Sequence, residues 1–151
     1  MRFAVDTMCG RLVTYLRFCG YDTEYIEERR SDDRSDLATG FDEEGRTLIT
    51  RDRTFASMTD HSILLDEISL DGQLRELADA GIELSLPDRP RRCGRCNGRV
   101  ERHSNQVDAL PEYVPSDLDQ QLYRCRACGQ FFWKGSHWEH VGARLREIER
   151  S

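Results

Sequence analysis

Four cysteines fall into two Cys-x-x-Cys pairs, Cys93/Cys96 and Cys125/Cys128, and their type and spacing suit a structural zinc site. Each two-residue gap lets a pair grip one edge of a tetrahedron of soft sulfur ligands. A glycine follows each pair, in Cys96-Asn97-Gly98 and Cys128-Gly129. Such a knuckle needs backbone that tolerates positive φ and amides that can face sulfur. Two disulfides or a redox pair would share the spacing, but two matched pairs with knuckle glycines favour zinc. A closed four-sulfur shell leaves no position for water, so this zinc is expected to hold structure rather than to catalyse. Its contribution to folding is on the order of 10 kcal/mol.

Chemistry on a substrate must then come from elsewhere, and carboxylates are the abundant alternative. Asp6 directly ends the apolar run Phe3-Ala4-Val5, and Asp52 closes the run Thr47-Leu48-Ile49-Thr50-Arg51. A third acid, one of Asp32, Asp33 and Asp36, stands at the start of a predicted helix. Carboxylates from separate strand ends make a hard oxygen site suited to magnesium or manganese. One or two such ions, about 4 Å apart when paired, can activate water and stabilise the leaving oxygen of a phosphodiester. Fifteen aspartates in 151 residues also make helix caps and solvated turns a ready explanation for any one of them.

Other groups carry less. Cys9 and Cys19 are too far apart for a knuckle and lie on a predicted helix, where buried small side chains are the expected role. Of the histidines at 61, 103, 137 and 140, His137 could replace a sulfur ligand, but four cysteines already complete the shell. A Gly-rich phosphate loop, a nucleophile elbow and a His-Glu-x-x-His helix are all missing, which argues against common kinases, serine hydrolases and metalloproteases.

The elements that must position these groups alternate between strand and helix. Strands are predicted at 3–5, 23–26, 47–50 and 62–65, with a last short strand at 82–86. Leu12, Val13, Leu16 and Cys19 form a helical stripe closed by Gly20; Ser31-Asp32-Asp33 caps a second helix that Gly45 stops; Leu70, Leu74, Leu77 and Ala78 mark a third, ending at Gly81. This alternation with short connections predicts an α/β fold with a mostly parallel sheet, over residues 1–86. Pro87-Asp88-Arg89-Pro90 reads as a linker. Residues 91–151 then hold the zinc ribbon, its knuckles on short hairpins, an ordered loop around Pro111–Pro115, and a C-terminal helix. Trp138, Val141, Leu145 and Ile148 make that helix amphipathic and able to pack on either unit.

Charge divides the same way. Residues 1–86 carry 10 Arg against 19 Asp and Glu, a net of −9; residues 87–151 carry 11 Arg and one Lys against 9 acids, a net of +3. Four thiolates around zinc bring the second part near neutral, yet Arg89, Arg91, Arg92, Arg95, Arg99 and Arg102 concentrate guanidinium that could neutralise phosphates. A single lysine among so many arginines and acids suits a surface kept hydrated at high salt, where phosphate attraction is screened. No run is apolar and long enough for a membrane span, no export pattern opens the chain, and reduced cysteines point to the cytoplasm.

The string from Asp6-Thr7-Met8-Cys9-Gly10-Arg11-Leu12 through Tyr15-Leu16-Arg17-Phe18-Cys19-Gly20-Tyr21-Asp22 resembles the opening of the mut-seven C-terminal RNase family, PIN-like nuclease domains fused to a zinc ribbon. The resemblance continues in Gly45–Arg53, at both cysteine knuckles, and in Trp133-Lys134-Gly135-Ser136-His137-Trp138. It implies a PIN-like sheet and metal-dependent RNase activity on RNA, with Asp6 and Asp52 as ligands and Asp33 as the middle acid, Asp32 and Asp36 being alternates. For the fourth carboxylate common in PIN nucleases, Asp66 and Asp71 are candidates. Cys9 and Cys19 replace the family's usual leucines, a change of packing. Arg11, Arg17 and Arg51 are candidate phosphate contacts. Two rivals remain: a non-catalytic RNA- or protein-binding module on a degenerate PIN-like fold, and a purely structural zinc protein.

Overall fold

The computed structural model describes residues 1–29, 31–104 and 110–150. Four parallel strands form the first sheet: β1 (Arg2–Val5), β2 (Asp22–Tyr25), β3 (Arg46–Thr50) and β4 (Ser62–Leu64), in the order β2-β1-β3-β4. Their side chains alternate between two buried faces, as parallel strands require. Phe3, Val5 and Ile49 face a core shared with α1 (Leu12–Phe18), α4 (Leu70–Asp79) and α5 (Ser136–Arg150). Ala4 and Leu48 face the opposite core, built with Leu37 and Phe41 of α2 (Arg34–Glu43) and Phe55 of α3 (Arg53–Ala56). Gly45, at φ +68°, turns the chain from α2 directly into β3, a conformation that favours glycine.

The second sheet is a small antiparallel one, β5 (Val100–His103), β6 (Leu122–Cys125) and β7 (Phe131–Phe132). Among the described residues its core cluster is Val114, Leu122 and Phe131 with a few half-buried neighbours, a small core for a unit without a staple. In the ordered loop, Val114 N–H donates to the Pro111 carbonyl at 3.0 Å; residues 105–109 of the preceding stretch lie outside the described residues.

Two expectations change. Residues 82–86 form no strand; Ile82 and Leu84 are buried against the helical layer, and Tyr21 Oη donates to the Glu83 carbonyl at 2.8 Å. Their alternation therefore serves to cover α1 and α4, not to extend the sheet. The four-residue α3 was not expected, being too short to show helical periodicity. The terminal helix, free by sequence to pack on either unit, buries Val141, Leu145 and Ile148 in the core of the first sheet. Arg144 of α5 pairs with Asp71 of α4 at 2.5 Å.

The ribbon is clamped to the edge strand β2. Asn97 Oδ1 accepts from the Thr23 N–H at 2.9 Å, and Asn97 Nδ2 donates to Asp22 Oδ1 at 2.7 Å. Asn97 itself sits at φ +70°, where asparagine is tolerated better than most residues. Among the described residues, no helix is long and apolar enough to cross a membrane.

Candidate active site and metal centre

The ligand atoms of Cys93, Cys96, Cys125 and Cys128 all lie within 4.8 Å of one another. Cys93 and Cys128 Sγ are 3.8 Å apart, and Cys96 and Cys125 Sγ 3.5 Å, far longer than a disulfide bond of about 2.05 Å. A tetrahedron with Zn–S bonds of about 2.3 Å has edges of about 3.8 Å, so the donor set fits zinc. The Gly98 N–H donates to Cys96 Sγ at 3.4 Å, and the Cys128 N–H to Cys125 Sγ at 3.5 Å. Gly98 is required by close approach: a Cβ there would meet Cys125 Sγ at 2.7 Å. Burial pushes the Cys93 thiol up to about 12. Burial also opposes ionisation of Cys125, but backbone amides of Cys128 and Ala127 and neighbouring thiols bring it down to about 7. In residue type and dimension the cluster could thus hold a zinc ion.

The acids lie at the carboxyl ends of β1 and β3, where ligands gather in parallel α/β sheets. Asp6 is only 3% exposed; its Oδ1 accepts from the Thr7 N–H at 2.8 Å, and its Oδ2 from Thr50 Oγ1 at 2.7 Å. The Thr50 hydroxyl in turn accepts from the Asp52 N–H at 3.0 Å. One threonine at the end of β3 therefore ties the two acids together. Asp52 caps α3, its Oδ1 accepting from the Thr54 and Phe55 amides at 2.9 and 3.2 Å. Its Oδ2 pairs with the Arg34 guanidinium, which also lies 4.6 Å over the Phe55 ring. The Phe55 amide, with Arg34 and the Thr54 amide, holds the Asp52 carboxyl below the usual carboxylate range.

A cleft of about 470 Å³ opens beside these groups, lined among others by Asp6, Glu27, Arg29, Asp32, Arg34 and Phe55. Asp33 caps α2 through the Ser35 and Asp36 amides, at 2.9 and 3.4 Å, and is exposed, as is Asp36. Asp71 is held on α4 by Arg144, and the Asp66 backbone is held by Glu76 and Arg51. Among the described residues, the four cysteines are gathered to metal-binding closeness and the aspartates are not.

The model of the Mut7-C RNAse domain family matches residues 1–145. The chain belongs to that family. Its nuclease-like role therefore falls on a fold whose cleft and cysteine cluster both lie inside the matched span. No curated protein and no solved structure matches the chain.

Within this Mut7-C domain the three arginines expected at phosphate part company. Arg17 is 1% exposed, its Nε on the Thr23 carbonyl at 2.9 Å, Nη1 on the Gly94 carbonyl at 3.1 Å and Nη2 on Glu28 at 3.3 Å. All three nitrogens are engaged, so Arg17 joins ribbon to sheet and is not placed to hold a phosphate. Arg51 is half-buried and Arg11 exposed, the latter one residue before α1. Sequence reasoning missed Thr50 and Arg34. Thr50 gives no signal because threonine is an ordinary strand residue; Arg34 gives none because its contact with Asp52 is tertiary. Cys9 is buried in the core and its thiol is pushed up to about 11, first by burial, which suits a packing role.

Proposed function

We propose that this chain hydrolyses RNA phosphodiester bonds at the cleft lined by Asp6 and Arg34, with Asp52 beside it on Arg34. The observation that carries the reading is the Thr50 hydroxyl bridging the buried carboxylate of Asp6, just after β1, to the chain at Asp52 after β3. An ionised carboxylate has about four acceptor sites, and Thr7 and Thr50 occupy Asp6 without exhausting them. When bound, magnesium or manganese would be held by Asp6 and Asp52 with Asp33 as third ligand, Asp32 or Asp36 being alternates, and would supply water activation and charge neutralisation. Asp6 and Asp52 are oriented in advance by backbone and hydroxyl donors, so little reorganisation opposes the reaction. Arg34 balances Asp52 in the free protein; with Arg11 and Arg51 it is a candidate for fork-like contact with the RNA phosphates. Hydrolysis adds water at phosphorus and breaks one P–O bond, leaving a hydroxyl end and a phosphate end.

In this reading residues 1–86 carry the chemistry, 87–90 connect, and 91–151 form the zinc ribbon and terminal helix that position RNA or brace the catalytic unit. Free cysteines suit a reducing compartment, the cytoplasm. The test is Asp6→Asn with Asp52→Asn, assayed on single-stranded RNA with manganese. Cleavage is expected to fall by about 10³-fold or more, with circular dichroism and zinc content unchanged; retained cleavage sinks the assignment. The capture of Asp52 by Arg34 favours a second reading, an RNA-binding module without catalysis. That reading predicts retained RNA and no product from the wild-type chain after manganese is added.

A further inference from the structure

The motif Trp133–Trp138 plays no part in the acidic cleft, yet it lines the molecule's aromatic pocket. This pocket, about 220 Å³, sits where the end of α1, the ribbon and the start of α5 meet. Phe18, Tyr113, Trp133, His137 and Trp138 are among the rings that line it, with Phe131 and Phe132. Tyr113 and Trp133 lie nearly parallel, 17° between planes and 6.5 Å between centroids. Tyr113 is 47% exposed, but it is no loose side chain: its Oη accepts from the Phe131 N–H at 2.9 Å. Trp133 is settled over a turn that only glycine permits, since a Cβ on Gly135 would meet Trp133 Nε1 at 2.5 Å. His137 and Trp138 both pack on Phe18, with centroids 5.2 and 5.6 Å away. An anchored, half-exposed ring beside an open cavity is a stacking platform prepared before its guest arrives.

We propose that this pocket takes an unpaired nucleobase of the RNA strand, stacked on Tyr113 and Trp133. The inference rests on the RNA reading of the cleft and adds a binding site remote from it. Among the described residues that line the pocket none is acidic, and Arg92 and His137 place cationic or hydrogen-bonding edges on it. Lys134 follows Trp133 and is exposed. A flat ring with a polar rim on an anionic backbone matches that combination; a duplex, whose bases are already stacked and paired, does not. The pocket lies at the opposite end of α1 from Asp6, a helix of seven residues and so about 10 Å long. A base held there fixes the strand away from the scissile phosphate and takes no part in bond breaking.

The test uses the full chain with zinc bound and no added magnesium or manganese. A short single-stranded RNA, the same strand with abasic sugars, and a duplex of equal length are titrated while tryptophan fluorescence is followed, since both tryptophans line the pocket. The intact single strand is expected to quench, and the abasic strand to bind about tenfold more weakly. Tyr113→Ala should weaken the intact strand by a similar factor, and Tyr113→Phe, which keeps the ring, should restore most of it. Gly135→Ala, which displaces Trp133 without deleting it, should also weaken the intact strand and leave the abasic one unaffected. Equal affinity for intact and abasic strands, or an unchanged Tyr113→Ala, overturns the proposal. So does quenching by a tyrosine- or tryptophan-bearing peptide with none by RNA, which would assign the pocket to a protein partner. Base-dependent binding by a chain that never cleaves RNA would leave the pocket standing and remove the nuclease reading; cleavage with base-independent binding would do the reverse.

Discussion

The cysteine cluster and the acidic cleft are both built from potential metal ligands, but they are stabilised in opposite ways. The four sulfurs have one another and a few backbone amides, in a unit whose apolar cluster, among the described residues, is Val114, Leu122 and Phe131 with a few half-buried neighbours. The aspartates each have partners without metal: Asp33 and Asp52 cap helices, Asp52 also pairs with Arg34, and Asp6 is held by Thr7 and Thr50. A metal at the ribbon would therefore be part of folding, whereas the metal proposed at the cleft would be an addition to a fold that already stands. The difference separates stability from activity in this chain and says which substitutions should touch which.

The largest effect should come from the ribbon. Cys125→Ser or removal of zinc with a strong chelator withdraws a contribution on the order of 10 kcal/mol. The near-ultraviolet dichroism of Trp133 should collapse with loss of metal; a ribbon that keeps its signal without zinc breaks the comparison. The cleft should behave in reverse. Asp6→Asn with Asp52→Asn, the variant proposed to abolish cleavage, is expected to cost no more than about 2 kcal/mol, because asparagine caps helices about as well as aspartate. A collapse of the melting transition in that variant would mean the acids are structural.

Next is the seam between the two regions. Arg17→Met leaves the Thr23 and Gly94 carbonyls without their buried donor and Glu28 without its partner. Chemical denaturation should show a loss of about 2–4 kcal/mol. Asn97→Ala deletes both bonds to β2 and strains a left-handed residue, so ribbon and sheet should unfold in two transitions rather than one. Asn97→Gly relieves only the strain and should recover part of the loss.

The smallest effect is a pH dependence at the same seam. Burial opposes the charge of Asp22, but hydrogen bonds from Asn97 and Arg46 prevail and hold its carboxyl below the ordinary value. Its stabilisation is complete above the unfolded pKa of about 3.9 and is lost as pH falls from there through the lower folded value. In acid titrations followed by dichroism, Asp22→Asn should flatten that part of the profile; an unchanged profile would show that Asp22 does not couple ribbon docking to protonation.

Much of the framework was legible in the sequence. Phe3–Val5 and Thr47–Thr50 are apolar runs bounded by charge, and α2 starts and stops where Asp33 and Gly45 predict. Residues 82–86 misled because period-two alternation reports one-sided burial, whether or not a strand partner exists. Arg17 misled because a charged residue on a short helix reads as solvated until something covers it; here the first zinc knuckle does. The ring platform was equally hidden, since Tyr113 and Trp133 belong to a loop and to the chain after β7, and meet only when the ribbon closes.

The sequence by itself determined a donor set suited to zinc, because ligand type and a two-residue gap are local properties that survive in any fold presenting two knuckles. Tertiary structure alone decided which acids are neighbours. Asp6 and Asp52 are brought together because β1 pairs in parallel with β3 and Thr50 reaches across, while Asp71 was drawn away to Arg144 on the terminal helix. A carboxylate can serve equally as cap, ion-pair partner or metal ligand, and only its neighbours choose among them.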